Sequence, residues 1–180
     1  RELCRCFWRG GVSRRALQFV PCSGGGAGAG LAAHPDVDAV ILTGGTETAR
    51  RMLGARPGMR LFGETGGKNA AIITALSDRE LAARHVVHSA FSHGGQKCSA
   101  TSLLLLEREV FEDEGFKRMF CDAVRSMITG SAWELHSRVG PLIRAPHGVL
   151  DAALTTLEAG ESWAVMPHQV GGNPNLWSPG

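Results

Sequence analysis

The chain has 180 residues, 43% of them hydrophobic and 20% charged, a balance that builds a packed protein rather than a disordered one. Lys and Arg number 19 against 17 Asp and Glu, so the formal charge is +2 and no basic stripe marks a nucleic-acid surface. The longest apolar run, around residues 103–106, is far too short to cross a membrane as a helix.

In chain order, residues 16–20 (ALQFV) read as a short strand running into Pro21. A Gly/Ala stretch, residues 24–30, follows, and then a brief helix ending near His34-Pro35. Residues 38–43 (DAVILT) have the composition of a buried strand between the turn signals Pro35-Asp36 and Gly44-Gly45. A helix is expected over 46–53 and another strand over 59–63. This alternation predicts an α/β protein with a parallel sheet.

After Gly66-Gly67 the pattern restarts with a strand at 70–74. Ser77-Asp78-Arg79-Glu80 has capping-box spacing, with Ser77 as N-cap, and opens a helix to about Ser92 that buries Leu81, Val87, Ala90 and Phe91. Then come a glycine loop (93–98), a strand (101–106), helices over 112–127 and 149–158, and strand or extended chain over 162–170. The boundary between two α/β units is placed near Gly66, giving residues 1–66 and 67–180.

Four segments carry candidate chemistry. The glycines of residues 24–30 lie between strand and helix, where phosphates meet helix N-terminal amides, but a plain flexible connection explains them equally well. Thr43-Gly44-Gly45-Thr46-Glu47-Thr48-Ala49 joins a strand to a helix, and its small residues let an anion approach the first helical amides. Glu64-Thr65-Gly66-Gly67-Lys68-Asn69 puts a carboxylate at a strand end before two glycines, suited to a general base or simply to an ion pair with Lys68. In Gly95-Gln96-Lys97-Cys98-Ser99-Ala100 a thiol sits among small polar residues, with Lys97 and loop amides beside it, an environment that favours a nucleophilic thiolate. A buried, inert cysteine is the better reading for Cys121, within a helical pattern.

Five cysteines (Cys4, Cys6, Cys22, Cys98, Cys121) at irregular spacings, with no apolar leader ahead of them, read as free thiols of a reducing compartment. Cys4-x-Cys6 lacks a second pair and His85-x-x-His88 lacks a zinc-protease context, so no metal is expected. The chain opens without Met and closes on Ser178-Pro179-Gly180, which reads as a fragment.

Taken together, the Glu64 and Cys98 motifs, 34 residues apart, and the turn ILTGGTETA before them resemble the signatures of the aldehyde dehydrogenase superfamily. LQFVPC, HPDVDAVILTGGTETA, ETGGKNA, ALSDRELAARHVVHSAFSHGGQKCSATSLLLLE and NPNLWSPG are similar to its L-glutamate γ-semialdehyde (delta-1-pyrroline-5-carboxylate) dehydrogenase branch, as found in bifunctional bacterial proline-utilisation proteins. The resemblance implies part of a Rossmann-like NAD-binding domain followed by part of a thiol-bearing catalytic domain. It implies Cys98 as nucleophile, Glu64 as the base that activates water, and NAD as cofactor at Gly44, Gly45, Glu47, Thr65 and Gly66. Lys97 and Ser99 would meet the substrate, with Ser99 near its carboxylate. It further implies a small-molecule aldehyde substrate, a bacterial cytoplasmic location, a homo-oligomeric parent, and a flavin-dependent proline dehydrogenase domain as a candidate partner within that parent. The turn carries Ala49 where many members have Gly. The family's oxyanion asparagine, ribose-binding lysine and substrate-anchoring loop fall outside these residues, so the isolated chain is expected to be inactive.

Overall fold

The alternating strand and helix signals become two parallel strand pairs, one in each of two units, Arg1–Thr65 and Gly66–Gly180. The computed structural model describes residues 1–23 and 25–180. No helix among them is long and apolar enough to cross a membrane.

The first unit holds α1 (Glu2–Arg9), α2 (Ala27–Ala33), β1 (Val40–Thr43), α3 (Thr46–Ala55) and β2 (Leu61–Glu64). β1 and β2 pair in parallel from Val40↔Leu61 to Thr43↔Glu64, and α3 is the crossover between them. Arg56, just past α3, fastens this helix to the loop after α2 by donating to the carbonyls of His34 and Val37.

Three expectations change here. Residues 16–20 form no strand: the chain turns at residues 13–17, and the Trp8 indole N–H takes the Leu17 carbonyl at 3.0 Å. A lone extended segment with no neighbouring strand has no ladder to join. β1 is not buried on both sides, since Ile41 is 81% exposed. Third, α1 arises where no helix was expected; its local signals are Glu2 in the first turn, Arg9 in the last, and the Arg5–Glu2 pair at 2.9 Å.

The second unit holds β3 (Asn69–Ile73), α4 (Arg79–Phe91), a tight turn (Ser92–Gly95), β4 (Thr101–Leu106), α5 (Arg108–Phe111), α6 (Glu114–Arg125) and α7 (Val149–Thr155). β3 and β4 pair in parallel, with a bulge that passes from Asn69↔Thr101 to Ala70↔Leu103. The core lies between this pair and the helices: Ile73, Ala83, Val86, Val110 and Phe116 are buried together, flanked by Leu104, Leu106, Met119 and Phe120.

The cap of α4 is one residue later than expected. Asp78 accepts from the Leu81 N–H at 3.0 Å, while Ser77 Oγ closes the preceding turn on Thr74. The phase of α4 moves accordingly. Ala83, Val86 and Val87 are buried, Leu81 is exposed, and Ala90 and Phe91 are half-buried. The helix expected over 112–127 is α6, which starts at Glu114 because Asp113 caps it through the Gly115 and Phe116 amides; the short α5 before it was not expected. Residues 162–170 form no strand: the chain bends at 164–165 and makes an isolated bridge from Gln169 to Trp177. Cys121 is half-buried rather than buried, its Sγ 3.6 Å from the Ala164 carbonyl.

Candidate active site

In the first unit the candidate residues gather at the C-terminal edge of the parallel pair, where open α/β sheets place their ligands. Thr43 ends β1 and Glu64 ends β2 at the same register, and the Gly44 N–H donates to the Glu64 carbonyl at 3.0 Å. The glycine turn and the candidate base are thus tied to one edge. Glu64 itself is exposed.

Beyond Gly44 the chain enters α3, whose first-turn amides must find partners outside the helix. Gly45 accepts from Thr48, and the Thr46 and Glu47 amides meet no acceptor among the described residues. A Cβ built at Gly45 would meet nothing within 4 Å, so the approach to those amides is open. Glu47 is turned along the helix to Arg50 at 2.7 Å, which offsets its charge at the helix start. An open helix N-terminus with unpaired amides suits a pyrophosphate, so the residues present fit a dinucleotide. Thr65 and Gly66 follow directly on Glu64 in the chain.

The stretch over residues 24–30 is less favourable to an anion. Gly24 lies outside the described residues. A Cβ at Gly28 would stand 3.1 Å from the Ser23 carbonyl and 3.2 Å from Cys22 Sγ. Close packing within the unit therefore accounts for that glycine.

In the second unit Cys98 occupies the apex of a turn. α4 ends at His88–Phe91, and His93, Gly94 and Gly95 then adopt φ of 56°, 63° and 69°, which reverses the chain. The Ala100 N–H closes onto the Lys97 carbonyl at 3.1 Å, leaving Cys98 and Ser99 as the two central residues. Lys97, Cys98 and Ser99 are all exposed, whereas Ala100 is buried.

Side-chain amides hold this turn from two directions. Asn69 Nδ2 donates to the carbonyls of Cys98 (2.7 Å) and Ala100 (3.0 Å). Gln96 donates to the His93 carbonyl (2.9 Å) and accepts from the Ile143 N–H (3.0 Å), joining the loop to the segment after Gly140. Both amides lie inside the two quoted motifs, yet neither was singled out from sequence, because a side-chain amide is informative only once its partner is known. A cavity of about 1360 Å³ lies between α4, α6 and residues 137–143; Gln96 and Lys97 line it and Cys98 does not. No group of three His, Cys, Asp or Glu suited to a metal occurs among the described residues.

Parallel strand pairs, each leading into a small-residue turn, define an α/β protein. The Aldehyde dehydrogenase family model matches residues 1–163, and the chain belongs to that family and has its fold. Proline Utilization A from Corynebacterium freiburgense superposes over 98% of this chain and 18% of its own length, with a TM-score of 0.91 and 41% identity. Betaine aldehyde dehydrogenase from Staphylococcus aureus, solved in complex with NAD+, covers 79% of this chain and 28% of its own, with a TM-score of 0.74 and 27% identity. A putative succinate-semialdehyde dehydrogenase [NADP(+)] of Mycobacterium ulcerans is 35% identical over 139 residues, 76% of this chain. The chain spans about a quarter, 26%, of the length of that relative.

Proposed function

We propose that this chain is the part of an NAD-dependent aldehyde dehydrogenase that carries both the nucleophile and the water-activating base, and that the enzyme oxidises L-glutamate γ-semialdehyde to L-glutamate. The observation that carries this reading is the Proline Utilization A likeness, which runs through 98% of the chain at 41% identity, whereas the betaine enzyme matches 79% at 27%. The NAD+ complex of the latter supports the dinucleotide at the open N-terminus of α3.

Cys98 attacks the aldehyde carbon as a thiolate, giving a thiohemiacetal. Its exposure at the apex of a two-residue turn leaves the sulfur accessible and its own N–H unused by the turn closure, so that this amide serves the developing oxyanion. NAD, when bound, supplies the hydride acceptor that takes this adduct to the thioester level. Gly44, Gly45, Glu47, Thr65 and Gly66 are the residues assigned to hold it. Glu64 then removes a proton from water, the hydroxide adds to the thioester carbon, and the Cys98 sulfur leaves. In sum, aldehyde, NAD+ and water give carboxylate, NADH and two protons. Lys97 and Ser99 flank the sulfur and meet the substrate, Ser99 nearest its carboxylate. The same likeness supports a parent protein that also carries a flavin-dependent proline dehydrogenase domain.

Glu64 and Cys98 are separable by kinetics in the full-length protein. Cys98→Ala abolishes NADH formation, while Glu64→Gln still yields one burst of NADH per site and then turns over roughly 100- to 10,000-fold more slowly. Full turnover after complete alkylation of Cys98 would reject the proposal. The 35% identity to a succinate-semialdehyde enzyme favours a second reading, the same chemistry on another aldehyde. Comparing kcat/KM for glutamate γ-semialdehyde, succinate semialdehyde and betaine aldehyde decides between them.

A further inference from the structure

We infer that Asn69 is a positioning residue for the nucleophile turn, acting through the backbone on either side of Ser99; this rests on the reading of Cys98 as nucleophile. Asn69 is the first residue of β3, 29 positions before Cys98, and belongs to the glutamate motif by sequence. In space it belongs to the cysteine motif. One side-chain nitrogen spends both of its hydrogens on carbonyls of that turn, Cys98 at 2.7 Å and Ala100 at 3.0 Å. Both partners only accept, so the atom facing them must be the amide nitrogen.

Two local features place the amide there. The bulge after Asn69 interrupts the regular pairing with β4, and bulges re-aim side chains. Gly67 stands close by: a Cβ at 67 would lie 3.4 Å from Asn69 Oδ1 and 3.8 Å from the Cys98 carbonyl. With the carbonyl ends of two peptides fixed by Asn69, and Lys97 C=O fixed by the Ala100 N–H, the peptide planes around Cys98 have little freedom. The directions of the sulfur and of the Cys98 N–H are set by those planes. Neither bond touches a reacting atom, so Asn69 acts only through the geometry it enforces.

The test uses the full-length protein with Asn69→Asp, which keeps the shape and removes both donors, and Asn69→Ala in case the carboxylate prevents folding. Iodoacetamide labelling of Cys98 is followed by peptide mass spectrometry, with exposed Cys6 and Cys22 of the same chain as references. Both variants are expected to lower kcat roughly 10- to 100-fold, with KM for NAD nearly unchanged, because small misplacements of a reacting group cost about that much. The Cys98 labelling rate is expected to change at least about threefold while Cys6 and Cys22 keep theirs, since access and environment set thiol reactivity. Ser89→Ala is the structural control. Ser89 Oγ accepts from Thr101, at the strand end of the loop, and makes no hydrogen bond to residues 97–100. It lowers Tm without altering the Cys98 rate. Folded Asn69 variants with unchanged kcat and unchanged Cys98 labelling overturn the inference, as does a uniform change at all three cysteines. If Cys98 alkylation leaves turnover of the unsubstituted protein intact, it is the nucleophile reading that fails, whatever the Asn69 variants do.

Discussion

His93 is the one non-glycine residue with positive φ among the described residues, at 56°, and it stands five positions before Cys98. A left-handed conformation costs an L-residue about 1–2 kcal/mol, and the chain accepts this where α4 must stop and turn toward the thiol. His93→Gly removes that cost but loses about 0.5–1 kcal/mol to glycine's freedom in the unfolded chain, so a small rise in Tm is expected. Gly95→Ala is the opposite case. Its Cβ would lie 3.0 Å from the Ala90 carbonyl at φ 69°, so the variant should lower Tm and displace the turn. Thermal denaturation of the two variants side by side checks both signs.

At the scale of elements, the caps decide where the helices of the second unit begin. Asp78→Ala should cost about 1 kcal/mol, read from chemical denaturation, because it removes the acceptor for the Leu81 amide. Asp113 does more, since Arg79 at the start of α4 pairs with it at the cap of α6. The Phe116 N–H foremost holds its carboxyl below the ordinary value of 3.8; burial is the next effect and opposes it, and the Gly115 N–H and the Arg79 and Arg118 charges add to the lowering. The folded state thus binds this proton less readily than the unfolded one. The stabilisation is complete above the unfolded value and is lost as pH falls through the folded one. Asp113→Ala should therefore lower Tm at neutral pH, and the gap from the unsubstituted protein should close below about pH 4, followed by Tm against pH.

Over the whole molecule, apolar burial is unevenly shared. The second unit has a cluster with Val110 fully buried and Ile73 2% exposed, and Ile73→Ala should cost about 2–5 kcal/mol in urea unfolding. In the first unit Met59 is the buried apolar side chain among the described residues, while Ile41 and Phe62 lie open on the strand pair. Parallel strands ordinarily have both faces covered. Limited trypsin digestion is accordingly expected to cut first within Arg1–Thr65, at sites such as Arg14 and Arg15, before the second unit is nicked. First cuts within α4 or α6 would contradict this.

Much of this was legible in the residues alone. A β-branched run between Pro35-Asp36 and Gly44-Gly45 located β1, a short leucine run after the glycine loop located β4, and the alternation of strand and helix indicated parallel pairing, because these are local preferences with a fixed period. The motifs around Glu64 and Cys98 named the candidate chemistry from residue types and spacing. What required the folded chain was every feature whose partner is distant in sequence. Residues 16–20 looked like a strand until no neighbour was there to pair with them, and Ser77 gave way to Asp78 when Thr74 claimed its hydroxyl. Asn69 could not be told from any surface amide until β3 brought it under the carbonyls of Cys98 and Ala100. Periodicity and turn chemistry are carried by neighbours along the chain. A hydrogen bond across 29 residues exists only after packing has closed the loop between its ends.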